Sequence, residues 1–188
     1  KQAVSSWDDY RKALLSDTGV DFNVPFAQRE KARLKLEADP VAWMLEMFPK
    51  FATAPFAPFH KKAIRRLVNN PEWYDVLSWS RELSKSTVTM MAVMYLVLTG
   101  KKRNVIMVSS SYDNAERLLE PYRANLDSNP RIKFYYGIQK GIANWEKGDF
   151  STKHGAAFRA IGALQSPRGT RKDEIRPDTI LVDDIDTD

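Results

Sequence analysis

Two short stretches of this chain carry residue types suited to phosphates and divalent cations. The first is Ser80-Arg81-Glu82-Leu83-Ser84-Lys85-Ser86-Thr87. A loop that grips a nucleotide needs backbone N–H groups curled around the β-phosphate, a lysine reaching the β/γ oxygens, and a Ser/Thr hydroxyl for Mg²⁺. Lys85 and Ser86 supply the last two, at the expected start of a helix whose N-terminal end favours an anion. Both glycines of the general G-x-x-x-x-G-K-[ST] pattern are missing, with Trp79 and Ser84 in their places. An ordinary helix start capped by Ser84 or Ser86 would use the same residues. The second stretch, Arg176 to Asp184, is an apolar strand ending in Asp183-Asp184. Beside a phosphate loop, one such carboxylate orders the metal's water shell and the next polarises an attacking water. A strand leaving the core with two solvated acids is the plainer reading.

The elements that must position these residues follow from periodicity. Ser5 to Phe48 is helical in pattern, with Asp8 to Tyr10 opening one segment, Ala27 to Ala38 forming another, and Pro40 in the first turn of a third. Pro49 to Pro58, with three prolines, reads as a linker or packed strap. Phe59 to Val68 is an amphipathic helix. Tyr74 to Trp79 reads as a strand, followed by the polar loop and a long apolar helix from Ser86 to Leu98 closed by Gly100. Asn104 to Ser109 is a continuous apolar strand, Tyr112 to Leu126 a helix, and Ala156 to Ile161 and Thr179 to Val182 are further strands. Alternating strands and helices predict a mainly parallel α/β sheet flanked by helices, with both motifs at strand C-terminal ends, where such sheets bind ligands.

The bulk composition excludes several classes. The chain has 188 residues, 43% of them hydrophobic and 28% charged, which suits an ordinary folded domain. Its longest apolar run, Met90 to Leu98, falls far short of the roughly 20 residues that span a bilayer. No signal segment opens it, and no internal repeat is visible. The absence of cysteine excludes disulfides and cysteine–zinc sites and fits a reducing interior. A net charge of +5 is compatible with a polyanionic partner, although many proteins carry it without binding one.

The ordered set of motifs resembles one family. Ser80 to Ser86 is similar to the phosphate loop of phage terminase large subunits, which carries an early Arg, replaces its first Gly, and reads approximately S-R-Q-L-G-K-[ST]. Phe59-His60 resembles the aromatic-plus-polar pair that precedes that family's adenine pocket. Asn104 to Leu119, Gly162 to Gly169 (Q-S-x-R-G) and Arg176 to Asp186 (R-P-D-x-I-h-h-D-D-I-[DE]) resemble further segments in the same order. The likeness covers residues 58–188. It departs at Ser84, where most members have Gly; a positive φ there would add strain of order 1 kcal/mol. It departs again at Asp184, where many members carry Glu, and Asp186 is the rival acid.

The resemblance implies a P-loop NTPase of RecA-like topology: a helical lead-in and proline-rich strap over 1–57, then an ATPase core over 58–188 cut short after the acidic strand. It implies a Mg²⁺-dependent ATPase that drives double-stranded DNA into a procapsid, with a nuclease only in a C-terminal domain beyond this chain. Lys85 clamps the β/γ-phosphates, Ser86 and Asp183 hold the metal, and Asp184, or else Asp186, orients the water. Arg81 touches the γ-phosphate, unless it is a surface ion pair with Glu82. Ser80 to Thr87 cradle the nucleotide, while Phe59 stacks on the base and His60 hydrogen-bonds it. Implied partners are DNA, a portal protein, the small terminase subunit and like subunits in a ring; the implied location is the host cytoplasm, with no membrane. The alternatives are a helicase-type DNA translocase, or a nucleotide-binding module that does not hydrolyse. Arg168 and Arg171 flank a flexible basic loop that senses nucleotide or a neighbouring subunit, or is only solvated. Lys61, Lys62, Arg65 and Arg66 read mostly as a solvated helix face.

Overall fold

The structure, a computed structural model, describes residues 7–16, 19–163, 165 and 176–185. The chain divides into two compact units, Phe22–Lys101 and the combination of Lys1–Asp21 with Lys102–Asp188.

The Phe22–Lys101 unit contains four helices among its described residues: α2 (Phe26–Glu37), α3 (Pro40–Met47), α4 (Pro58–Asn69) and α5 (Lys85–Leu98). Asp39 starts α3 by accepting from the amides of Val41 and Ala42 at 3.0 and 3.3 Å, with Pro40 in the first turn as expected. Helix α5 is apolar nearly all round, because Val88 and Met90 to Val97 are all buried. It packs on α3 and α4, with the Trp43 ring edge-on to Tyr95 at 5.2 Å. The Tyr95 hydroxyl donates to the Glu37 carbonyl at 2.6 Å. Gly100, at φ +73°, ends α5: its amide reaches the Val97 carbonyl and that of Lys101 the Leu96 carbonyl, which satisfies the last-turn acceptors.

The other unit is built on a five-stranded sheet in the order β2-β3-β4-β1-β5. Its strands are β1 (Asn104–Ser109), β2 (Lys140–Trp145), β3 (Asp149–Thr152), β4 (Ala157–Gly162) and β5 (Thr179–Val182). Helix α1 (Trp7–Leu15) packs on α6 (Tyr112–Ser128), and α6 on β1 and β4; α7 is Pro130–Tyr136. Phe150 and Phe158 stack at 4.9 Å beneath Tyr122, and Arg11 pairs with the buried Glu120 at 2.7 Å.

The expected mainly parallel, RecA-like sheet is wrong. Strand β1 pairs in parallel with β4 and β5, but β2–β3 and β3–β4 are antiparallel, so the α/β sheet is mixed. Short turns cause this. Three residues join β2 to β3 and four join β3 to β4, and connections that short return the chain alongside itself in the opposite direction. Gly155, at φ +85°, makes the second turn. Neither β2 nor β3 was foreseen, since Gly141 and Asn144 interrupt the apolar pattern.

The expected strand Tyr74 to Trp79 is a second correction. That segment alternates exposed with half-buried residues, as an extended chain does, but joins no sheet. The alternation is a local property, whereas pairing needs a partner edge. The loop at Ser80 therefore does not follow a sheet strand, and only the acidic pair stands at a strand's C-terminal end.

Candidate functional site

The segment leading into the Ser80–Ser84 loop is anchored at both ends. Asp75 accepts from the Arg66 guanidinium, with contacts of 2.7 to 3.1 Å, and Arg66 also lies over the Trp73 ring at 5.6 Å. Arg66 thus ties α4 to this segment, whereas Lys61, Lys62 and Arg65 on the same helix are exposed. At the other end Trp79 meets Phe59 and His60 edge-on at 5.2 and 5.3 Å. These links bring the Phe59-His60 pair next to the loop.

Within the loop the backbone turns sharply. Glu82 and Ser84 adopt φ of +67° and +59°, left-handed conformations that non-glycine residues seldom take. Ser84, immediately before Lys85, thus holds a conformation that only glycine adopts without strain. Helix α5 begins at Lys85, and its first bond runs from the Val88 amide to the Ser84 carbonyl at 2.9 Å. No side chain caps this end, which removes the reading in which Ser84 is an ordinary cap. Lys85 and Thr87 are half-buried; Ser80, Arg81, Glu82, Leu83, Ser84 and Ser86 are exposed. Among the described residues Arg81 forms no ion pair with Glu82.

His60 is held on both ring nitrogens. Its Nδ1 accepts from the Ala57 amide at 3.2 Å, and its Nε2 lies 2.9 Å from the Leu83 carbonyl. The Phe59 ring is 4.0 Å away, with Phe59 itself 40% exposed and open to a stacking partner.

The acidic pair belongs to the other compact unit. The Asp183 amide donates to the Val108 carbonyl at 3.1 Å, the last ladder bond after β5. Asp184 then turns at φ +47°, and its carbonyl accepts from the Ser110 amide at 2.9 Å and the Ser109 hydroxyl at 3.2 Å. Asp183 is half-buried and Asp184 exposed. The hydroxyl of Tyr122 has its pKa raised well above the ordinary value, first by burial and second by the negative charge of Asp183. Asp186, Ser166 to Thr170 and Arg171 lie outside the described residues, so the rival acid and the two loop arginines have no geometry here.

The structural roles of three residues escaped the sequence reading. Asp178 accepts from the amides of Arg103 and Asn104 at 2.7 and 3.1 Å and so aligns the starts of β1 and β5. An acid directly before an apolar strand is the signal that marks it. Ser109, fully buried, supports the Asp184 turn, and its place at the end of an apolar strand hides that role. Gly162 ends β4 so close to α6 that a Cβ would meet the Tyr112 amide nitrogen at 2.8 Å. Among the described residues no group of three or more His, Cys, Asp or Glu side chains is placed to hold a metal. No described helix is long and apolar enough to cross a membrane.

No protein-family model matches the chain, and comparison with curated proteins and with solved structures likewise gives no match.

Proposed function

We propose that this chain binds and hydrolyses ATP with Mg²⁺, and that hydrolysis drives double-stranded viral DNA into a procapsid, as in the motor part of a terminase large subunit. The observation that carries the reading is Ser84. It takes the left-handed conformation of a phosphate-loop glycine immediately before Lys85-Ser86, at a helix end that no side chain caps. That combination leaves the amides of Lys85, Ser86 and Thr87 to an anionic ligand, where the helix dipole favours one.

On this reading Lys85 neutralises the β/γ-phosphate oxygens and Ser86 supplies an oxygen ligand to Mg²⁺, while the roles of Asp183 as a metal ligand and Asp184 in orienting the attacking water rest on the motif resemblance alone. Arg81, exposed beside the loop, meets the charge that develops on the γ-phosphate. The metal would neutralise charge on the transferred phosphoryl group. The DNA substrate, the portal and small-subunit partners, the ring of like subunits and the host cytoplasm are proposed on the motif resemblance alone.

Lys85→Ala is the test. Steady-state ATPase of the full-length protein should fall by at least about 10²-fold, the scale of losing a charge-stabilising group, while circular dichroism stays native. Mutant turnover within a few-fold of wild type would sink the assignment. Tight ATP binding without turnover in the wild type would favour the non-hydrolysing module, and strand separation of a DNA duplex the helicase-type translocase.

A further inference from the structure

We propose that His60 is a positioning residue that locks the Ser80–Ser84 loop, acting on the phosphate end of a nucleotide and not on its base. The inference rests on the phosphate-loop reading and assigns His60 a different role from the base contact the sequence suggested.

Three observations carry it. First, both ring nitrogens are engaged within the fold, Nδ1 by the Ala57 amide at 3.2 Å and Nε2 by the Leu83 carbonyl at 2.9 Å. That pattern takes the tautomer with the proton on Nε2, and a base could hydrogen-bond the imidazole only by displacing one of these partners. Second, the ring is packed among Phe59 at 4.0 Å, Trp79 at 5.3 Å and Phe56 at 6.0 Å, so its position is set by the aromatic cluster. Third, Leu83 lies between the two left-handed residues Glu82 and Ser84, and the bond from its own amide to the Ser80 carbonyl is long, at 3.5 Å. The Nε2 contact is therefore the stronger restraint on this turn.

Peptide geometry links the lock to phosphate. The Leu83 carbonyl and the Ser84 amide share one planar trans unit and point in opposite directions. Holding the carbonyl on His60 aims the Ser84 N–H away from His60, one residue before the start of α5. If the carbonyl were released, that peptide plane would turn and the cradle would lose an aligned donor.

The experiment compares wild type, His60→Phe and His60→Gln in the full chain. Phenylalanine keeps the ring packing and removes both nitrogens. Glutamine offers an N–H₂ donor for Leu83 and an oxygen for Ala57. Affinities for ATP, GTP and inorganic triphosphate are measured with Mg²⁺, and tryptic cleavage after Arg81 is followed without ligand by mass spectrometry. His60→Phe should weaken all three ligands by a common factor of about tenfold, the scale of one aligned hydrogen bond, and should speed cleavage after Arg81. His60→Gln should restore most of both. A loss confined to ATP, with triphosphate binding intact, would show that His60 reads the base and overturn the proposal. Unchanged affinities and cleavage in His60→Phe would overturn it equally. A wild type that binds none of the three ligands, with cleavage still faster in His60→Phe, would remove the phosphate-loop reading and leave only a structural lock.

Discussion

The Ser109 hydroxyl donates to the backbone carbonyl of Asp184 at 3.2 Å, across from β1 to the residue that follows Asp183 at the end of β5. The Ser110 amide shares the same acceptor at 2.9 Å. The left-handed turn at Asp184 is thus held from the neighbouring strand, and the second acid takes its direction from that turn.

On the proposed reading, Asp184→Asn should keep ATP binding and fold stability, because Asn tolerates left-handed backbone as Asp does. Turnover should drop by about 10²-fold or more, as for loss of a general base. Ser109→Ala should lower stability by about 1 kcal/mol through the lost buried hydrogen bond and reduce kcat more than it raises KM. Single-turnover ATPase and urea unfolding check both variants. Full turnover in Asp184→Asn would move the catalytic role to Asp186.

Ser84→Gly removes the strain of a non-glycine residue at φ +59°. Nucleotide affinity should be preserved or tightened, and stability should change by less than about 1 kcal/mol, since relief of strain is offset by the freer unfolded chain. Ser84→Val, β-branched at a left-handed position, should lose both stability and affinity. Titration with a fluorescent ATP analogue and thermal unfolding separate the cases. A clearly weaker Gly variant would reveal a specific contact from the Ser84 hydroxyl.

Tyr122 predicts how the Lys102–Asp188 part of the chain responds to alkali. Burial and the Asp183 charge raise its pKa above the ordinary tyrosine value of 10.0. The unfolded state therefore gives up this proton first, binds fewer protons above pH 10, and is favoured as pH rises. The stabilisation is complete below pH 10 and is lost progressively above it. Tyr122→Phe should flatten this fall in stability, measured by urea unfolding between pH 8 and 11. An equally steep fall in the variant would show that Tyr122 does not drive it.

Much of the local structure was legible in the residues. Asp39-Pro40 marks the start of α3, the unbroken apolar run Met90 to Leu98 a core helix, and Asn104 to Ser109 a buried strand, because capping, missing amides and side-chain period act over a few neighbours. The residue types at Ser80 to Ser86 and Asp183-Asp184 suggested phosphate and metal chemistry by the same short-range logic. Strand direction was not legible, since β2, β3 and β4 run antiparallel through turns whose flanking strands are short and irregular. Nor was the fate of Tyr74 to Trp79, whose alternation is that of a strand although it pairs with none. His60 showed the limit most clearly: its type and its place after Phe59 suggested a base contact, yet in the fold both ring nitrogens are used by Ala57 and Leu83. A hydrogen bond between residues 60 and 83 depends on where α4 packs against α5, and that packing is a tertiary choice that no local pattern encodes.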